Sequence, residues 1–539
     1  MLPITDLDVV TFLLEARGAA SLPRRDWPAL IEYETDRIIT FGEYVEMVNK
    51  FSAGIQKIGL RRGQTLSLFV PNHIYFPIVL LGTLRAGGIC SPANPGYTAD
   101  EYAYQLTDSK SKWIVTCEAA LPTALKAADI AGISKSFIFL IDSAPTVTDY
   151  KTVDQIIAEA KTLPLYQIRY TADDLENTPA VLCYSSGTTG RSKGVETTHK
   201  NLVANVSQLD QFEGRETIIP GIDKWPAILP MFHIFGLTVV TMWSAFSGVA
   251  LVVQNRFSLG AFCESVQKHK LTMCHVVPPI VIALAKAPVV SNYDFSSVRV
   301  WFSGAAPLAT EVQMEAQARV GGIFKQGYGM TECSPVTHLN PNHKVKFGSI
   351  GPLICNMECQ IVDPETNEVR GPGGTGEIWV RGPNVMKGYW NNAEATKNTI
   401  TSDGWLMTGD IGYVDEDGYV FIVDRLKELI KFKGFQVPPA ELEGYLLTHP
   451  AISDAAVIGR PDDEAGELPR GFIVVKPGSE VTEAEIVAFI AAKVANHKRL
   501  RGGVRFIDVI PKSASGKILR RELRDLDREE VEHAKKNEE

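Results

Sequence analysis

The sequence is poor in the features that mark secreted, metal-centred or nucleic-acid-binding proteins. Its eight cysteines, at 90, 117, 183, 263, 274, 333, 355 and 359, form no C-x-x-C pair. The close pair Cys355 and Cys359 has no histidines at zinc spacing, so reduced, mostly buried thiols in an intracellular protein are expected. There is no excess of basic residues: the net charge is −9, which argues against a nucleic-acid partner held by phosphate neutralisation. The start, Met1-Leu2-Pro3-Ile4, lacks a basic region followed by an apolar one, so no signal peptide is expected. The tail Lys536-Asn537-Glu538-Glu539 is not an S-K-L address, which leaves the cytoplasm as the expected location. Residues 234–253 carry no charge and are long enough to cross a bilayer. Gly248 and the β-branched run after it favour instead a buried helix, a glycine stop and a buried strand, with no transmembrane segment. No internal repeat or low-complexity segment is visible. A chain of 539 residues with 45% hydrophobic and 22% charged content is ordinary for a globular protein and too long for one core.

What is present begins with Tyr184-Ser185-Ser186-Gly187-Thr188-Thr189-Gly190-Arg191-Ser192-Lys193-Gly194, after the apolar run Ala180-Val181-Leu182-Cys183. Glycines let backbone approach a ligand, and hydroxyls, backbone N–H groups and a lysine suit phosphate oxygens. It is not a Walker loop, because Lys193 is followed by Gly194 and Ser192 is not glycine. A solvated Ser/Gly loop is the plainer alternative for this stretch taken alone.

Elsewhere, strand and helix patterns alternate between Asp26 and Asp173, with a capping box at Thr40 and Glu43, which points to parallel α/β layers. Further small-residue loops are expected at Ser303-Gly304-Ala305-Ala306-Pro307 and Gln326-Gly327-Tyr328-Gly329-Met330-Thr331-Glu332, where open α/β sheets collect ligands. Tyr328 suits a planar ring, Thr331 a phosphate and Glu332 a magnesium ion. Gly371-Pro372-Gly373-Gly374-Thr375-Gly376 fits G-x-G-x-x-G, but a strand pattern follows it instead of a helix, so it reads as a turn. Asp415-Glu416-Asp417-Gly418 lacks EF-hand spacing and reads as a hairpin turn. Beyond Asp424-Arg425-Leu426-Lys427 the chain becomes charge-rich with an α+β pattern and includes Ser515-Gly516-Lys517. A domain boundary is expected there, dividing residues 1–425 from 426–539.

Taken in order, residues 184–194, 326–332, 376–382 (GEIWVRG), 408–410, 424–443 (DRLKELIKFKGFQVPPAELE) and 515–517 resemble the motifs of the adenylate-forming superfamily, in its 4-coumarate–CoA ligase, acyl-CoA synthetase and luciferase branch. The resemblance implies a large multi-subdomain N-terminal α/β domain and a small C-terminal α+β domain joined by a hinge. It implies an enzyme that joins a carboxylic acid to coenzyme A, using Mg·ATP, through an acyl-adenylate. Ser185, Ser186, Gly187, Thr188, Thr189, Gly190 and Lys193 would hold the β- and γ-phosphates. Ala305, Gln326, Gly327 and Tyr328 would surround adenine, Thr331 the α-phosphate, and Glu332 the metal. Asp410 and Arg425 would meet the ribose, and Lys517 the α-phosphate and the substrate carboxylate. Lys427 would be the hinge, whose rotation exchanges Lys517 for Lys431, Lys433, Gly434, Phe435 and Gln436, with Gly434 kept small beside a pantetheine tunnel. Arg256 would bind coenzyme A phosphates.

The acyl pocket implied by the same resemblance comprises His233, Phe235, Gly304, Gly329, Pro335 and Val336, with Met242 and Trp301 deeper. Hydroxycinnamate-specific members carry polar groups at the deep end, and neither Met242 nor Trp301 matches that, so an aromatic or medium-chain acid is expected. No aspartate stands at 232–234 to pair an α-ammonium, which disfavours amino acids. Two other activities share these motifs: loading of a carrier-protein pantetheine, and a luciferase-like oxygenase.

Overall fold

The computed structural model describes residues 2–16, 24–185, 191–462, 464–514 and 516–538. The expected alternation of strands and helices yields a seven-stranded sheet. Five of its strands are parallel, in the order Pro179–Ser185, Ile89–Pro92, Thr65–Phe69, Ser111–Thr116, Ile138–Leu140. Lys193–Thr198 and Gly388–Tyr389 continue it antiparallel. Thr65–Phe69 is buried along its whole length, as a strand covered by helices on both faces must be. Helix Phe41–Ile58 starts at the capping box of Thr40 and Glu43.

A second sheet pairs Met273–Val276, Val300–Ser303 and Ile323–Gly329 in parallel, with Val336–Leu339 antiparallel at its edge. Gln326 to Gly329 therefore belong to a strand, not to the loop expected from their small residues. The loop proper is the short turn Thr331–Cys333. Strand pairing along Tyr328 and Gly329 outweighs glycine's freedom here, since a Cβ on Gly329 would lie 2.2 Å from the Pro335 carbonyl oxygen. Ile38–Thr40, Pro28–Glu32, Ala250–Val253 and Lys224–Ala227 form a third sheet. An antiparallel fourth sheet contains Leu406–Val414 and Val420–Arg425, joined by the expected hairpin turn.

The uncharged stretch 234–253 folds as a helix, a glycine stop and a strand. The helix runs as π over Phe235–Met242 and as α over Trp243–Ser247, Gly248 caps it in the left-handed region, and strand Ala250–Val253 follows. The π geometry is beyond what periodicity shows. Among the described residues no helix is long and apolar enough to cross a membrane.

One large apolar core runs from Val9 to Val420, and a separate one begins at Ile430. The second belongs to a small sheet of Phe435–Val437, Ile430–Phe432, Gly466–Val475 and Ile452–Asp462, beside which Val504–Phe506 lies in parallel. Helix Glu483–Ala491 is shorter than the expected 483–495. The chain is thus a large α/β domain followed by a small α+β domain.

Candidate functional site

Five of the residues in the glycine-rich stretch, 186–190, lie outside the described residues. Its two ends are held firmly. Strands Pro179–Ser185 and Lys193–Thr198 pair antiparallel, with Ser185 opposite Lys193. The Tyr184 hydroxyl donates to Asp108 Oδ2 at 2.5 Å, and the Trp390 indole donates to the Asp108 carbonyl at 3.0 Å. Ser185 Oγ is buried without a hydrogen-bond partner among the described residues. The Lys193 ammonium stands 4.0 Å from the centroid of the Tyr389 ring. The hydroxyl of that tyrosine donates to Glu332 Oε1 at 2.9 Å. Tyr389, which motif reading did not single out, links the phosphate hairpin to the carboxylate expected to hold a metal.

Glu332 is 6% exposed. No cluster of three or more metal-binding side chains occurs among the described residues. One carboxylate with one oxygen already engaged fits a magnesium ion carried mainly by nucleotide phosphates.

Asp410 lies opposite Arg425 in the pair Leu406–Val414 and Val420–Arg425. Its Oδ1 is 3.1 Å from Arg425 Nε, and its Oδ2 accepts from the Tyr328 hydroxyl at 2.5 Å. Asp410 raises the Arg425 guanidinium above its ordinary value, while burial and Asp410 push the Tyr328 phenol well up. Gln326 is occupied elsewhere. Its side-chain oxygen accepts from Leu308 N at 3.1 Å and its amide donates to Gln313 Oε1 at 3.0 Å. It thereby braces the loop in which Ala305 adopts φ 71°. Gly327 has no room for a side chain, because a Cβ would meet the Phe302 ring at 2.6 Å.

Lys517 reaches this group from the small domain. It sits in a tight return where Ser513 N donates to the Lys517 carbonyl at 2.8 Å and Lys517 N donates to Ser513 Oγ at 3.2 Å. Gly516 packs against Pro279 and Val277 of the large domain, with its built Cβ 3.4 Å from Pro279 Cδ. Burial lowers the Lys517 ammonium below its ordinary value, as does the Arg425 charge, whereas Asp410, Glu332 and Glu428 oppose the shift. The return is tied down by Arg520, which pairs with Glu428 at 2.9 Å and Glu443 at 2.7 Å.

His233 feels the Lys517 charge: burial first, and Lys517 second, push its imidazole down to about 3. Its Nδ1 accepts from Phe235 N at 3.3 Å, so the neutral ring carries its proton on Nε2. Phe235 borders Gly304, where a Cβ would stand 3.1 Å from the ring edge. Val336 is fixed by Asn205, whose side-chain nitrogen donates to its carbonyl at 2.8 Å, and Met330 N donates to the Pro335 carbonyl at 3.0 Å.

Trp301 departs from expectation. Its ring stacks on Phe324 at 5.2 Å and its indole donates to the Gly321 carbonyl at 3.0 Å, on the face of the strand away from Phe235. Alternation along Val300–Ser303 instead turns Phe302 toward Phe235, with centroids 5.7 Å apart. His275, in register with Phe302, lies 5.6 Å from its ring. Motif reading passed over both residues, because a strand residue opposite another has no signal in its own neighbourhood. Met242 is buried at the end of the π-helix.

The remaining expected residues are not gathered here. Lys427 is exposed in the turn after Val420–Arg425, and Arg256 is exposed after Ala250–Val253. Lys431 and Gln436 face each other across the small hairpin, exposed, while Lys433 pairs with Glu464 at 2.6 Å. Gly434 has φ +84° and nothing within 4 Å of a built Cβ, so in this arrangement the turn favours glycine there.

Comparison with known proteins completes the picture. The AMP-binding enzyme family model matches residues 17–390, and the model of the AMP-binding enzyme C-terminal domain matches 441–517. The chain is 41% identical to the probable 4-coumarate–CoA ligase 1 of Dictyostelium discoideum, over 90% of this chain and 91% of that one. It is 42% identical to the 4-coumarate–CoA ligase of Pinus taeda, over 93% and 92%. Among solved structures, the anthranilate CoA ligase AuaEII in complex with anthranoyl-AMP superposes with a TM-score of 0.88 at 26% identity, covering 98% of this chain and 99% of that one. ATP-bound MatB from Rhodopseudomonas palustris superposes with a TM-score of 0.85 at 27% identity, covering 96% and 99%.

Proposed function

The chain belongs to the AMP-binding enzyme family, and from that premise we propose a division of labour among its site residues and a class of acid. It is an acid–thiol ligase that uses ATP, Mg²⁺ and coenzyme A and passes through an acyl-adenylate. The observation that carries the assignment of roles is that Gly516, beside Lys517 on the small domain, packs on Pro279 and Val277 of the large one, where the Lys517 ammonium feels the charges of Arg425, Asp410 and Glu332.

The first step brings a carboxylate to the α-phosphate, two anions that repel. Lys517 supplies a desolvated positive charge between them, worth most where water is excluded. Asp410 takes the ribose hydroxyls, kept in place by Tyr328 and Arg425. Lys193 and the hydroxyls at 185–190 hold the β- and γ-phosphates, and Thr331 the α-phosphate. Glu332 would bind Mg²⁺, which supplies charge neutralisation at the phosphates. Ala305, Gln326 and Gly327 shape the adenine side, Gln326 through its hold on Leu308. His233, neutral and protonated on Nε2, offers a hydrogen bond near the acyl carbon without adding charge.

For thioester formation, Lys427 serves as hinge between 1–425 and 426–539. Rotation withdraws Lys517 and brings in Lys431, Lys433, Gly434 and Gln436, with Arg256 on the coenzyme A phosphates. The hairpin bearing Gly434 is exposed, as a surface that must dock elsewhere has to be. The acid is aromatic or medium-chain, which the rings of Phe235 and Phe302 beside Gly304 favour. Eight free thiols support a cytoplasmic setting.

A pyrophosphate-release screen over aromatic and C4–C16 acids tests the reading, followed by thioester detection with free coenzyme A. Adenylate without thioester from every acid would remove coenzyme A as acceptor in favour of a carrier protein. An acid range confined to short dicarboxylates would overturn the assigned class.

A further inference from the structure

Residues 228–233 lie between strand Lys224–Ala227 and the helix that runs as π from Phe235, and His233 stands at their end. Irregular chain of this kind costs conformational entropy to hold in one shape, and its backbone polar groups need partners. One distant side chain meets both needs. Asn72 stands just beyond Thr65–Phe69, the middle one of the five parallel strands, and is 7% exposed. Its Nδ2 donates to the Ala227 carbonyl at 3.0 Å and to the Leu229 carbonyl at 3.0 Å, and its Oδ1 accepts from Met231 N at 2.8 Å. These partners lie 155, 157 and 159 residues further along the chain. The arrangement demands an amide, because an ionised aspartate would turn an oxygen toward two carbonyl oxygens.

The clamp closes immediately before His233. His233 N donates at 3.1 Å to the carbonyl of Pro230, the residue between Leu229 and Met231. On the other side of His233, Gly236 presses on the same turn: a Cβ there would stand 2.1 Å from the Pro230 carbonyl oxygen. The His233 backbone is thus fixed between Asn72 and the start of the π-helix.

We propose that Asn72 is a positioning residue for the ligase reaction, which holds residues 227–231 and through them sets the place of the His233 imidazole. This rests on the role given to His233 above. Losing the amide frees the loop, and the Nε2 proton of His233 then spends less time where it can meet the acyl group. A misplacement of about 1 Å can cost about 10²-fold in rate.

The test is a double-mutant cycle in the full-length enzyme, with Asn72→Ala and Asn72→Ser each made in the wild type and in His233→Ala. The readings are kcat/KM for the acid used fastest in the pyrophosphate-release screen, followed as thioester, and the KM for ATP. In the wild-type background both Asn72 substitutions are expected to lower the acid kcat/KM by about tenfold or more and to leave the KM for ATP within about twofold. In His233→Ala the same substitutions are expected to cost less than about threefold, since residues acting through one another are not additive. A merely structural weakening would cost the same factor in both backgrounds, and that result overturns the proposal. So does a rise in the KM for ATP as large as the loss in acid use. Thermal melting establishes which variants are folded at the assay temperature. If neither Asn72 variant is, the amide is a folding element and the positioning role is overturned. If His233→Ala alone leaves the acid kcat/KM unchanged, the role given to His233 fails, and this inference with it.

Discussion

On the nucleotide side of the proposed site, Asp410 accepts from Tyr328 and pairs with Arg425, and Glu332 accepts from Tyr389; on its proposed acyl side, the rings of Phe235 and Phe302 stand 5.7 Å apart beside Gly304. The difference follows from what each end must hold. A nucleotide presents the same atoms at every turnover, so its carboxylates can be fixed in advance by protein donors, and preorganised charge is what lowers a barrier. The acyl end must distinguish one acid from others, and apolar rings do this by fit, where one methylene more or less is worth about 1–3 kcal/mol. Substitutions on the first side should therefore change catalysis and nucleotide or metal dependence, and those on the second should change the choice of acid.

The largest effect is expected at Lys517. Lys517→Ala should slow adenylate formation by about 10²–10³-fold, the scale of a lost transition-state charge contact, while thioester formation from supplied acyl-adenylate persists. Single-turnover assays of the two steps check this; equal loss in both would contradict the withdrawal of Lys517 between them. Tyr389→Phe keeps the ring under Lys193 and removes only the donor to Glu332. A hydrogen bond to a charged group is worth about 1.5–3 kcal/mol, so the Mg²⁺ concentration for half-maximal pyrophosphate release should rise about tenfold or more. An unchanged Mg²⁺ requirement would mean that Glu332 is not the metal carboxylate. Gly304→Ala should leave that requirement alone. Its methyl group would crowd the Phe235 ring edge at 3.1 Å, and a methyl-sized change in an acyl pocket is worth about 1–3 kcal/mol. Preference should move about tenfold toward smaller acids, read from kcat/KM over a size series.

The smallest effect is a shift in pH dependence. In the proposed division of roles adenylation needs the Lys517 ammonium, whose pKa lies below the ordinary 10.5 because of burial and Arg425. The charge is present below the lowered value and lost as pH rises through it. The alkaline limb of pyrophosphate release should therefore fall below pH 10.5, and Lys517→Arg should move that limb upward, because a guanidinium stays charged.

Legibility in the sequence divides along the same line. Residues 184–194, Glu332, Asp410, Arg425 and Lys517 sit in short contiguous motifs, and several reappear around Lys517 in the structure. The alternation of strands and helices and the stop at Gly248 were legible too, since apolar periodicity and glycine position act locally. The strand through Gln326–Gly329 was not, because its small residues suggest a loop until Val336–Leu339 pairs with it. Nor was the true neighbour of Phe235. A choice between Trp301 and Phe302 turns on which face of one strand meets the π-helix, and a shift of one residue reverses it.

The sequence by itself determined the family and the reaction, and marked the residues proposed to handle nucleotide, since these lie in motifs whose chemistry is carried by a few consecutive side chains. Only the tertiary structure decided that Tyr389 joins Lys193 to Glu332, that Gln326 braces a loop, and that Asn72 holds residues 227–231. Those contacts are made between elements far apart in the chain, and the packing of sheets and helices alone brings them within reach.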